Sequence, residues 1–282
     1  MRSQRRLVRP ETKTYGIFNS LQGLNNSNTP AFDPNLYSST CCVADYSGGR
    51  VFASNVTGNH INVMDYTDPT QQLSSFQATI NPYQIKIDEL GGRIFISNYD
   101  VSTEIYDYNT LALIGSIPER LSINIGVEID RAGNRIFVVE SNVISIYDYT
   151  TLSYLSELTG FSSPRNMVID SVNNRIFITE AVTKKLTIRQ YSDPTIFIES
   201  ITFVDSPWGV DLDLPNNHLY IGFYSNNTVK ILNATTYEEI QTIGSPEVLL
   251  TSPRSIFYDK ESSRLFISSN ANTNSFISIL KK

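Results

Sequence analysis

The chain has 282 residues, 40% hydrophobic and 18% charged, enough apolar material for a large buried core in one or two domains. A formal charge of −6 argues against a binder of nucleic-acid backbones, which needs a positive footprint. No apolar run approaches the ~18 residues that a membrane-crossing helix requires, so no membrane span is expected.

Residues 1–12 carry Arg2, Arg5, Arg6 and Arg9 but lead into no apolar stretch. They read as a basic tail, or an arm for a neighbouring protein, rather than as a secretory signal. With no signal visible the compartment stays open, and a surface or assembly-associated setting is favoured. The segment "ETKTYGIFNSL" (11–21) has the look of a strand. It is followed by "QGLNNSNTPAFDPNLYSS" (22–39), a long aperiodic loop of the kind that carries recognition on a rigid scaffold. Cys41 and Cys42 are adjacent and cannot staple distant parts of a fold. They read as two small buried hydrophobes, with a strained vicinal disulfide as the alternative.

From here the chain repeats itself. "GGRVFASN" at Gly48 returns as "GGRIFISN" at Gly91, "GNRIFVVE" at Gly133, "NNRIFITE" at Asn173, "NNHLYIGF" at Asn216 and "SSRLFISS" at Ser262. Each copy follows an aspartate: Asp45, Asp88, Asp130, Asp170, Asp213 and Asp259. A basic residue stands five after it every time, Arg50, Arg93, Arg135, Arg175, His218 and Arg264, at steps of 43, 42, 40, 43 and 46. A period in that range, made of strands, marks the blades of a propeller.

Each copy parses into four strands. The first, such as "YQIKID", ends at the aspartate, whose side chain is free to accept amides of the Gly/Asn-rich turn behind it. The second is "RIFIS", rich in β-branched and aromatic residues, and the third alternates, as in "VISIYDY". The fourth follows a Thr/Asp turn, as in "LSYLSEL". The last copy, "SFISILKK", stops after its third strand, so 14–21 is expected to pair with 275–280 and close the ring. The fold class expected is all-β: a six-bladed β-propeller of four-stranded antiparallel blades over 13–282, closed by the N-terminal strand.

"RIFISN" within a repeat of about 42 residues, with "NTVKILNATT" and "SPWGVDLD", resembles the YVTN/NHL-type β-propeller superfamily. The resemblance implies the fold. It does not select a function, because this architecture hosts binding modules, scaffolds and unrelated enzymes.

Functional groups are expected where the first strands begin, five residues before each aspartate. That ring reads Thr40, Tyr83, Ile125, Arg165, Trp208 and Arg254. Six-bladed calcium-dependent lactonases of the SMP-30/gluconolactonase type carry Asn and Asp ligands in such places, where a hard cation needs converging oxygens. This ring offers no carboxylate or amide. Glu140, Glu180, Asn55 and Asn98, which end second strands, keep an atypical lactonase as the alternative. His60 and His218 fall in different parts of the blade, too far apart in the repeat for a zinc site or a Ser-His-Asp triad. Neither a metal nor a cofactor is therefore expected. The binding candidates are Tyr83, Arg165, Trp208 and Arg254, aromatic and guanidinium groups of the type that dominate hot spots. Two before the aspartates, Lys86, Glu128 and Asp211 are expected to form a charged network in the channel. Sequons occur at Asn25, Asn55, Asn226 and Asn233. The expected role is a non-catalytic module that binds a protein, peptide or glycan, or joins a larger assembly.

Overall fold

A computed structural model describes residues 20–21, 39–69, 71–99, 101–118, 124–244, 250–269 and 276–281. The basic tail, 14–19 and the long loop to residue 38 lie outside the described residues. The strands form six sheets of four antiparallel strands each. Blade one spans 42–77, blade two 82–118, blade three 124–158, blade four 164–202, blade five 207–244 and blade six 253–281. Within blades one to five the strands follow chain order from the centre outwards. The innermost strands neighbour one another around a closed cycle that brings Cys42–Asp45 of blade one against Pro253–Asp259 of blade six.

Blade six draws its outermost strand from the start of the chain, as expected. Ser20 pairs with Lys281 and Leu21 with Leu280. Leu21 thus pairs within the 275–280 segment expected as its partner, and Ser20 pairs one residue beyond it. Residues 14–19, the rest of that expected strand, fall outside the described part.

Six apolar layers, one at each junction between blades, make the core. Second strands are buried along nearly their whole length because a neighbouring sheet covers each face. Their third residues, Phe52, Phe95, Phe137, Phe177, Tyr220 and Phe266, are completely buried. Burying each such ring stabilises the fold by ~2–3 kcal/mol. The layer between blades six and one, with Phe266, Ile277 and Ile279 against Val51, Met64 and Tyr66, is built like the others.

The aspartates explain the repeat. Asp88, Asp130 and Asp170 accept the amides of Gly91, Gly133 and Asn173 at 2.9, 2.9 and 3.0 Å, the turn role expected. The residue after each of these amides has positive φ in all six blades: Gly49, Gly92, Asn134, Asn174, Asn217 and Ser263. Gly and Asn enter that region at little cost, which is why they recur there.

In blades one, three and four the carboxylate also binds the arginine five residues on. Arg50 reaches Asp45 at 3.1 Å, and Arg135 and Arg175 reach Asp130 and Asp170 at 2.7 Å. A tyrosine from the next blade completes the group. Tyr108 donates to Asp45 at 2.5 Å, Tyr149 to Asp88 at 2.6 Å, Tyr191 to Asp130 at 3.0 Å and Tyr66 to Asp259 at 2.5 Å. The arginines then donate to the main-chain carbonyls of those tyrosines and lie over their rings. Tyr66 closes the seam between blades one and six.

Blades four and five vary the scheme. Ala234 replaces the tyrosine in blade five, and Arg175 still donates to its carbonyl and to the Tyr237 hydroxyl. In blade five His218 replaces arginine, and Asn216 Nδ2 holds Asp213 at 2.7 Å instead.

Burial pushes the Asp45 carboxyl upward, but the Tyr108 hydroxyl, the Gly48 amide and Arg50 outweigh it and hold it below its usual 3.8. A carboxyl lowered on folding stabilises the protein above its unfolded value and loses that contribution as pH falls through the folded one. Tyr108→Phe is therefore expected to cost about 1–1.5 kcal/mol at neutral pH, in denaturant unfolding. The cost should shrink once Asp45 protonates, below 3.8. Equal stability of variant and parent at neutral pH would contradict the role given to this hydroxyl.

Candidate functional site

Innermost strands of blades two, four, five and six begin with proline: Pro82, Pro164, Pro207 and Pro253. A strand's first residue needs no ladder donor, so proline fits there. One residue later the ladder slips. In blade three Asn124 pairs with Glu140 and Gly126 with Val139, leaving Ile125 without a partner. The same bulge occurs at Tyr83, Arg165 and Arg254, and in blade five at Trp208 and Gly209. A bulge bends the strand and re-aims the extra side chain, here into the axial channel.

Six bulged or equivalent positions thus face one pocket. Thr40, Tyr83, Ile125, Arg165, Trp208 and Arg254 line it together, with about 260 Å³ of empty space that includes its open mouth. Gln84, Asn166 and Ser255 line it as well, and sequence reasoning missed all three. They stand four before their aspartates and are buried. Gln84 Nε2 donates to Asn166 Oδ1 at 3.0 Å, and Gln84 Oε1 accepts the Val127 amide at 2.8 Å. This bridge from blade two to blade four forms a neutral floor. Gly126 and Gly209 occupy the same level. A Cβ on Gly209 would sit 2.9 Å from the Arg254 carbonyl and the Ile256 amide, so blades five and six approach closely only because a side chain is missing.

The upper part of the pocket is a stack of rings and cations. Trp208 lies on Tyr224 at 4.7 Å and 24°. Arg165 stands 4.3 Å and Arg254 5.1 Å from the indole centroid. Arg254 also lies 5.3 Å from the Tyr224 ring and donates to the Tyr83 hydroxyl at 3.0 Å. Thr40 donates to the Tyr83 carbonyl at 2.7 Å, and Thr179 to the Trp208 carbonyl at 2.5 Å, fixing the main chain under both rings. Burial, then repulsion from Arg254, lowers the Arg165 pKa. The hydrogen bond from Arg254 lowers the Tyr224 phenol. Tyr224, just past the second strand of blade five, belongs to this group and was not foreseen.

Deeper in the channel lie the charged residues expected there. Lys86 and Glu128 pair at 2.6 Å. Burial pulls the Lys86 pKa down, but attraction to Glu128 and Asp211 outweighs it, so the ammonium is held charged. Asp211 accepts the Tyr258 amide at 2.7 Å, and burial pushes its carboxyl up to about 6.

The remaining oxygen and nitrogen candidates stay apart. Glu180 accepts the Ser162 amide at 2.7 Å and the hydroxyls of Thr183 and Thr187. Glu140 accepts the Ser145 hydroxyl, and Asn55 accepts the Gly58 amide at 2.9 Å. Asn98 is fully buried, in blade two. Among the described residues no three His, Cys, Asp or Glu side chains converge on one point. His60 in blade one meets Asn55 and Gly58, and His218 in blade five meets the Tyr220 ring. Cys41 and Cys42 are both free and buried. Of the sequons, Asn55 is buried, Asn226 is exposed, Asn233 caps a turn, and Asn25 lies outside the described residues.

No protein-family model matches the chain, and no curated protein matches it. Among solved structures, hydrazine synthase of Kuenenia stuttgartiensis is similar, with a TM-score of 0.67 and 14% identity. The match covers 85% of this chain and 82% of that one. A likeness at that identity shows the propeller fold and nothing finer.

The charge at Asp211 gives a test of the channel. A carboxyl raised on folding is disfavoured as an anion, so its contribution to stability falls as pH rises between 3.8 and about 6. Asp211→Asn keeps an acceptor for the Tyr258 amide and removes the charge. Its stability relative to the parent is expected to improve across that window and to stay level above it. A variant that loses stability as pH rises through the window would show that the Asp211 charge is needed.

Proposed function

We propose that this chain is a non-catalytic recognition or assembly module that engages its partner through the mouth formed by Tyr83, Arg165, Trp208 and Arg254. The observation that supports this reading most is the clustering itself. Bulges in five blades aim side chains at one pocket, and there they bring two guanidinium groups onto the same indole. Such groups bury large area, donate in fixed directions and lose little conformational freedom on binding. The rest of the face is rimmed by strand ends and loops, which suits a peptide or protein loop, or a glycan. The acid groups a hydrolase would use are spent on loop amides and hydroxyls, or sit below the floor in the channel. The repeat's likeness to YVTN/NHL-type propellers accords with such a module.

Selecting peptides from a random display library against the folded protein provides a partner of known sequence. Trp208→Ala is expected to weaken the selected peptides by about 2 kcal/mol or more, the scale of a hot spot. Melting of the same variant is measured in parallel. A variant that melts lower yet binds with normal affinity would reduce Trp208 to a plug of the channel and overturn the proposal.

A further inference from the structure

Two groups of arginines among the described residues differ in setting. At one end of the blades Arg50, Arg135 and Arg175 each hold a carboxylate within 3.1 Å. At the other end Arg165 and Arg254 have no ion-pair partner among the described residues. Both are half-buried, and the Nε atom of each is buried without a hydrogen-bond acceptor. The pocket they share has no carboxylate in its lining. Two like charges thus face one cavity in a protein whose net charge is −6. Arg254 donates one N–H to the Tyr83 hydroxyl, but neither guanidinium has a counter-charge, so each carries an unrecovered desolvation cost and the two repel one another. An anion between them would remove both.

We infer that the mouth is an oxyanion site, taking a carboxylate or phosphoryl group carried by the ligand. This deepens the recognition reading and rests on it. The guanidinium fork matches such groups through paired N–H···O bonds. Trp208 and Tyr224 supply a flat apolar wall against which the arginines are already stacked, so their direction is set before the ligand arrives. The enclosed space is only about 10 Å³, room for about one water, so the anionic group would sit at the open mouth with the rest of the ligand on the surrounding face. The floor, Gln84 hydrogen-bonded to Asn166, is neutral and so does not repel an anion.

Trp208 is the single tryptophan, so indole emission reports on this pocket alone. The experiment titrates the whole protein with acetate and, separately, inorganic phosphate, against chloride at matched ionic strength. A saturable change of emission is expected with acetate or phosphate and not with chloride, and the tighter of the two identifies the group. The double change Arg165→Gln with Arg254→Gln should weaken that response by about tenfold or more, the effect of losing charge-assisted pairs. Circular dichroism checks its fold, and the single variants Arg165→Lys and Arg254→Lys, which keep the charge but lose the fork, should fall between. An emission response that is linear, equalled by chloride, or unchanged in the double variant overturns the inference. If library peptides still bind through Trp208 while neither anion does, the recognition reading stands and the oxyanion assignment falls. If acetate or phosphate binds and no peptide does, the oxyanion assignment holds and the peptide reading falls.

Discussion

In blades one, two, three and six the first strand ends in a carboxylate that is satisfied from two blades at once. At Asp130 the turn behind it supplies an amide, the second strand supplies an arginine, and the neighbouring blade supplies a tyrosine hydroxyl. None of these donors alone would offset the cost of burying the charge, and together they do. Because the last donor comes from the next sheet, local turn formation and ring assembly are coupled. The blades therefore fit only in one order and spacing. The arginine adds a second tie, lying between the phenylalanine below and the tyrosine beside it, as Arg135 does between Phe137 and Tyr191.

This arrangement divides the molecule into two ends. Clamps at the aspartate end, with the apolar layers between sheets, fix the geometry of the ring. The opposite end has no such duty, and the ladder there is interrupted by bulges that turn side chains toward the axis. Side chains at the mouth can then vary from blade to blade, from Ile125 to Trp208, while the clamp end stays nearly uniform. Where the clamp does vary, the substitute is local: Asn216 takes the place of an arginine at Asp213.

Much of this was legible in the sequence because the repeat imposes the same burial on every copy. The period, the strand composition and the turn residues gave blade number, strand order and the turn role of the aspartates. The closing strand was found in the right blade, and its described residues, Ser20 and Leu21, pair with the end of the last strand. The tyrosines were present in the sequence as the last residue of "MDY", "YDY" and "RQY", and only their contact across blades was hidden. Position five before each aspartate was picked out by symmetry. The bulge that aims it, and the Gln84–Asn166 bridge beneath it, depend on how six strands meet at one axis, which no single repeat encodes.

The most direct test of this account is a double-mutant cycle across one blade junction, with Asp130→Ala and Tyr191→Phe measured alone and together by denaturant unfolding. The two residues lie in adjacent blades, joined by a hydrogen bond of 3.0 Å. If the carboxylate is satisfied from both blades, the coupling energy should reach about 1 kcal/mol, and Tyr191→Phe with Trp208→Ala should be additive within ~0.5 kcal/mol. Additive losses at Asp130 and Tyr191 would contradict it, leaving the apolar layers alone to hold the ring.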